Sequence, residues 1–507
     1  MRKRLKRVFR NSLYNMGGWG LTVVIRLLVL PYYIHHLTVE GFGLYAILHS
    51  LIGYIDILDL GLAQGVTKYV AECEQKKDWR LLGKYVGNAL LAMLMFGVAA
   101  GGTLWLARVP LVDLLIQKPE WYSVGDAALQ LTALGIPFAL LVMVGSSTLK
   151  GMQRYDRVNK ITMTVAVMSS LVGVLLLSLG YGVIALIALD LATIGVTLVV
   201  MYFMVRHTLV HVPLRIRYDR AVFRELFSFG GYLVVLRVAT RAGILLPRFV
   251  LAAVAGTASV TYYEVGAKIL TALQGMQNQA THVLLPVASQ LVVEDPTKER
   301  FKRSYLSGVT LVAVLSVPLY LTLAVFGHEV LYLWVGADVA GQSALTLTVL
   351  AFAFLVSSYT AIPTYFAMGE GETRLLAVFG IIYLVSTILL IVPLTNAAAS
   401  VGAAVTVFVS RSLAAVFLLR QYHRHLGVHW KPYMLQVVIR PVLWAGIIVS
   451  VAHLISAAVG ATPVWTLGIA GMCMCLYFLA VWQLPLLPAS MMQKVVQMIG
   501  KEHPLKR

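Results

Sequence analysis

The feature that most restricts this chain is a series of apolar runs, each about 20 residues or longer, that recurs from one end to the other. Coiled as helix at about 1.5 Å per residue, a run of that length crosses the roughly 30 Å hydrocarbon core of a bilayer. The expected fold class is therefore all-α, a polytopic membrane protein. Of the 507 residues 59% are hydrophobic and 12% charged, with a mean hydropathy of +0.82, whereas a soluble domain carries about 25% charged residues. A water-soluble fold is excluded.

With a window of about 19 residues, spans are expected near 13–37, 42–69, 85–107, 124–149, 158–180, 182–205, 226–250, 257–285, 304–326, 341–367, 375–394, 399–420, 434–459 and 464–486, about 14 transmembrane helices. The formal charge of +19 does not imply nucleic acid, because the Lys and Arg residues lie in short clusters between these runs. The clusters fall in every second loop: the amino terminus, then Lys76 to Lys84, Lys150 to Lys160, Arg206 to Arg224, Lys298 to Arg303, Arg374, Arg420 to Lys431 and Lys494 to Arg507. The opposite loops supply only Arg108 and Lys118. Positive charge is retained on the inside, so both termini are expected in the cytoplasm and the number of spans is even. The basic start, Met1 to Arg10, precedes an apolar run too long for a signal peptide and is read as a retained cytoplasmic segment.

Sliding the first half by about 216 residues, a shift of the kind found in duplicated transporter halves, lays Pro31 on Pro247 and Gly151-Met152-Gln153-Arg154-Tyr155 near Met368-Gly369-Glu370-Gly371-Glu372. This pattern divides the chain into a six-helix bundle at residues 1–222, a pseudo-repeated six-helix bundle at 223–425, and a terminal helix pair with a cytoplasmic tail at 426–507.

Ionisable residues inside spans are the candidate functional groups, since each costs about 2.5–3.5 kcal/mol at the helix centre unless it faces protein or water. They are Arg26, Arg237, Arg241, Arg248 and Lys268 among the bases, and Asp56, Asp59, Asp190 and Glu264 among the acids. Spacings of four and seven place Arg237, Arg241 and Arg248 in one stripe, a basic column about 16 Å tall. The repeat sets Arg26 within a residue of Arg241. A guanidinium fork is suited to phosphate oxygens and keeps its charge at any working pH. The same arginines could instead pair with Asp56, Asp59 or Glu264, or snorkel, and serve to hold helices together. Glu264, Lys268, Thr271, Asn278 and His282 form a polar stripe, either the wall of a wet path or a polar seam, and Glu264 stands one turn from Lys268.

No Walker-type loop or His-Glu-x-x-His motif occurs, so neither nucleotide hydrolysis nor a metal is expected, and no cofactor. His423, His425 and His429 lie in a basic loop and are read as interfacial. Cys73, in a polar loop, and Cys473 and Cys475, on an apolar helix, are read as plain thiols.

The segment Asn15 to Arg26, with Leu30-Pro31, Gly41-Phe42-Gly43-Leu44-Tyr45, Asp59-Leu60-Gly61-Leu62 and Lys68-Tyr69, resembles bacterial polysaccharide flippases of the Wzx type. Gly151-Met152-Gln153-Arg154-Tyr155 is similar to that family's loop after helix four. The superfamily also holds the MATE drug exporters and the lipid II flippases. The resemblance implies two bundles that rock to expose a cavity alternately to each side, and a transporter of undecaprenyl-diphosphate-linked oligosaccharide rather than an enzyme. It also implies a bacterial cytoplasmic membrane location and other polysaccharide assembly proteins as partners. The site then expected is Arg26, Arg237, Arg241, Arg248 and Lys268 for the diphosphate, with Asp56, Asp59 or Glu264 as a coupling group or charge partner. The rival reading, a MATE-like ion-coupled exporter of small cationic molecules, predicts a cavity dominated by acids. A membrane-embedded glycosyltransferase would need larger outer loops than this chain has.

Overall fold

In a computed structural model, the described residues run from 2 to 483, apart from 54, 58, 60, 211, 213–217, 229–230, 282–287, 289–290, 293 and 295–297. All regular structure among them is helical. In chain order it comprises α1 (Arg2–Gly53), α2 (Leu62–Lys76), α3 (Trp79–Leu106), α4 (Arg108–Leu115), α5 (Tyr122–Gly151), α6 (Tyr155–Ser178), α7 (Val183–Thr208), α8 (Arg220–Ser228) and α9 (Gly231–Thr281). There follow α10 (Glu299–Val325), α11 (Gly327–Val335), α12 (Ala337–Glu370), α13 (Thr373–Leu426), α14 (Trp430–Tyr433), α15 (Arg440–Val459) and α16 (Pro463–Gln483).

Ten of these helical stretches are long and apolar enough to cross a membrane. Three of the longest are broken by positive-φ residues: α1 at Thr38 (φ 66°), α9 at Gly256 (φ 80°) and α13 at Ala399 (φ 43°). A residue in that region cannot continue the i to i−4 ladder, so the chain turns there. Each break falls where the sequence ended one span and began the next. Many large apolar side chains stay exposed along these helices, among them Leu28 (70%), Leu389 (68%) and Leu454 (67%). Such a surface belongs against lipid tails rather than water.

The chain forms two compact units, Met1–Glu264 with Ile391–Ala399, and Val265–Leu390 with Ser400–Arg507. The first has a core of Val66, Val70, Leu82, Val86, Met93, Leu140, Val144 and Leu226, drawn from α2, α3, α5 and α8. Within it α3 and α5 approach closely at Gly97 and Gly101: a methyl group on Gly97 would lie 2.5 Å from the Pro137 Cα, and one on Gly101 2.5 Å from the Ala133 carbonyl oxygen. In the second unit Phe301 and Tyr305 of α10 pack edge-on against Phe366 of α12, and Phe326 joins Val449, Ala452 and Ala470 of α15 and α16.

Two expectations need correction. The span placed at 42–69 is not one helix: α1 ends at Gly53, a 3-10 turn covers Ile55–Ile57, and α2 starts after Gly61 at φ 85°. A carboxylate in the middle of the run makes this possible, because Asp59 accepts the Ala63 N–H at 2.6 Å and so satisfies one of the bare donors at the start of α2. Cys73 is not in a loop but on the buried face of α2, four and seven residues beyond Tyr69 and Val66. Burial, with Asp78 and Glu72 nearby, pushes its thiol up to about 11.

Candidate functional site

The interruption between α1 and α2 sets Asp59 in the interior of the first unit, where it is fully buried. A carboxylate there must be paired, and Arg237 of α9 donates to its Oδ2 at 3.0 Å. The arginine side chain is 29% exposed, so part of its fork stays open while the acid is sealed behind it. Lys150, at the end of α5, lies within electrostatic range of Arg237. Arg241 follows one turn later on α9 and is half-buried. Arg237 thus brings its fork to this part of the first unit together with Lys150, and Arg241 stands on the next turn of the same helix. Such a group attracts an anion with several oxygens.

Arg248 is buried, donates from Nε to Glu264 Oε1 and from Nη1 to the Ile244 carbonyl at 2.6 Å, and stands over the Tyr263 ring. The pairings formed, Asp59 with Arg237 and Glu264 with Arg248, are among those the sequence left open. Arg26 is exposed on α1, on the same unit, and its charge and that of Asp190 both act on the Tyr45 phenol. Lys268 belongs to the second unit and is half-buried on α9. Asp56 falls on the 3-10 turn, its side chain outside the described residues, and His282 lies outside them altogether. Along the stripe that follows Glu264, Thr271 bonds back to the Ala267 carbonyl at 2.8 Å and Asn278 is exposed.

Several polar groups escaped the sequence reading. His49 Nδ1 sits 2.8 Å from Asp190 Oδ2 and 3.4 Å from the Tyr45 hydroxyl. Arg411, inside α13, meets Ser357 of α12. His423 is not interfacial: it is 2% exposed, bonded to the Tyr305 hydroxyl at 2.7 Å and packed on Tyr433, because α14 folds back onto the end of α13. Among the described residues no three His, Cys, Asp or Glu side chains are grouped as metal ligands. A mid-span arginine is visible in a hydropathy scan, and Arg411 could have been found that way. Nothing local in the sequence announces His49.

Comparison with known proteins bears on what such a site serves. A sequence model of the family described as polysaccharide biosynthesis protein matches residues 36–340. A Shigella flexneri protein named "Putative O-antigen transporter" is 23% identical over 425 residues, covering 83% of this chain and 99% of its own length. Among solved structures, the lipid II flippase MurJ in an inward closed conformation superposes with a TM-score of 0.73 at 12% identity, over 93% of this chain and 98% of its own. An inward-facing multidrug resistance MATE family transporter of the MOP superfamily gives 0.67 at 17% identity, over 80% and 94%. The fold is thus that of the MOP superfamily, and the chain belongs to the polysaccharide biosynthesis protein family, as its resemblance to Wzx-type flippases implied.

Proposed function

We propose that this protein moves undecaprenyl-diphosphate-linked oligosaccharide from the inner to the outer leaflet of the bacterial cytoplasmic membrane by alternating access, for cell-surface polysaccharide synthesis. The observation that supports this reading is the part-exposed Arg237 fork, held on buried Asp59 with Lys150 in electrostatic range and Arg241 one turn along the same helix. A diphosphate presents several anionic oxygens on a group small enough to reach a guanidinium fork. Arg26 and Lys268 complete the proposed set of ligands. Arg248, sealed against Glu264, is better placed to hold α9 in position. Asp56, Asp59 and Glu264 are the proposed charge partners or coupling groups.

The fourteen-span arrangement in two repeats is part of the same proposal. In its support, the breaks at Thr38 and Gly256 are 218 residues apart, as are the turns at Gly180 and Ala398. Counting each of the three broken helices twice and adding the shorter apolar helix at Pro463–Leu479 brings the ten candidate spans to fourteen. The bundles at 1–222 and 223–425 with a terminal pair follow from that repeat, and other polysaccharide assembly proteins are the proposed partners.

The test is transport of fluorescent undecaprenyl-diphosphate oligosaccharide across reconstituted liposomes, with a cationic dye run in parallel. Wild type moves the lipid and Arg237→Ala/Arg241→Ala loses at least about 100-fold in rate, the scale of two charge-assisted contacts. A double variant that transports normally would move the site elsewhere. Dye export without lipid movement would replace the flippase by the exporter.

A further inference from the structure

Within the second unit Arg411 is an arginine at the middle of a membrane helix with no acid beside it among the described residues. It stands on α13 nine residues before Arg420, where the basic inner end begins, and so about 14 Å deep, near the middle of a 30 Å core. At about 100° per residue its side chain points roughly opposite Leu413 and Val416, which are 51% and 54% exposed and mark the lipid face. It therefore turns inward. There Nη1 donates to the Ser357 hydroxyl of α12 at 3.1 Å, and the guanidinium carbon lies 4.3 Å from the centroid of the Phe354 ring. Among the described residues its partners are this neutral hydroxyl and ring face, with the Tyr320 phenol in electrostatic range, and none of them is a carboxylate.

The sequence explains why none is. Between Glu372 and Glu502 there is no Asp or Glu at all. On α12 the acids stand at the two ends, Asp338 and Glu370, and the nearer is thirteen residues from Ser357, about 20 Å along the axis. Contrast Arg237 and Arg248, each with a carboxylate in contact. Ser357 uses one of the five guanidinium N–H groups, and the ring face uses none, since it contacts the plane and not the edge. The side chain is only half-buried, so the rest of the fork is open to a ligand.

We infer that Arg411 binds a phosphate oxygen of the lipid-linked diphosphate, with Ser357 and Phe354 fixing the plane of its fork. This rests on the flippase reading and adds a ligand to it. The phosphate is that of a lipid headgroup and not a free ion, because a charge at this depth is reached by a molecule whose tail stays in the bilayer.

Binding to the purified full chain in nanodiscs tests the assignment, with undecaprenyl diphosphate, undecaprenol and inorganic pyrophosphate as probes. Arg411→Gln weakens undecaprenyl diphosphate binding by about tenfold or more and leaves undecaprenol unchanged. Ser357→Ala, which keeps the charge and frees the fork, weakens it about threefold and serves as the second reading where Arg411→Gln does not fold. Diphosphate affinity within about twofold of wild type in a folded Arg411→Gln protein, or in Ser357→Ala where the first cannot be made, overturns the assignment and leaves the flippase reading standing. Wild type that fails to bind undecaprenyl diphosphate overturns both. Pyrophosphate bound as tightly as the lipid, and lost in Arg411→Gln, overturns the lipid headgroup in favour of a free anion.

Discussion

Asp59 has no exposure and holds the Arg237 guanidinium while accepting the Ala63 amide N–H, so removing its charge takes a buried countercharge from the arginine and leaves the amide an acceptor. Asp59→Asn is expected to lower stability toward the lower end of about 3–5 kcal/mol, since Arg237 retains some solvent. Asp59→Asn/Arg237→Gln should recover much of that loss, because no charge is then stranded, yet remain unable to transport. Thermal unfolding in detergent beside a liposome assay separates the two effects; a double variant that transports would make the pair purely structural. At this scale the arginines were legible because a charge within an apolar run stands out. Their partners were not, since Asp59 and Arg237 are 178 residues apart and three acids were available. Lys150 was counted with a loop for the same reason: its proximity to Arg237 is made by packing and not by sequence.

Among the elements, α3 and α5 show how helices associate where no hydrophobic effect drives them together. Gly97 and Gly101, one turn apart, let the backbone of α3 come against Pro137 and Ala133. Gly97→Ala and Gly101→Ala each place a methyl group at 2.5 Å from backbone atoms, and each is expected to cost about 1–3 kcal/mol. Gly102, beside them with open space around its missing Cβ, is the control: Gly102→Ala should be neutral or slightly stabilising, as an alanine in a helix normally is. Melting temperatures of the three variants decide this, and equal behaviour would mean that the two helices separate easily. The helices themselves could be read from hydropathy, since a run of about 20 apolar residues has few alternatives in a bilayer. The interruption of the second span could not, because Asp59-Leu60-Gly61 is polar for only one residue and a 19-residue average hides it.

At the scale of the whole molecule, the alternation of basic loops and the spacing of the breaks make one joint prediction about sidedness. If six spans separate Ser123, at the start of α5, from Asp338, at the start of α12, the two residues face the same side, and that side is the outside. Arg424, in the last turn of α13, and Lys76, in the last turn of α2, are then expected to face the cytoplasm. All four are exposed, so a cysteine at any of them reports the compartment without disturbing packing. In a background where Cys73, Cys473 and Cys475 are replaced by serine or alanine, a membrane-impermeant maleimide should label Ser123→Cys and Asp338→Cys in intact cells. It should label Arg424→Cys and Lys76→Cys only after the membrane is opened. Ser123→Cys and Asp338→Cys on opposite sides would mean an odd number of passes between them, and the parallel repeat would fall with it. All four reversed would keep the repeat and invert the chain, setting Arg420, Arg424 and the other basic clusters outside. The proposed inner-leaflet entry of the lipid-linked substrate would then have to be abandoned, whatever the arginines bind.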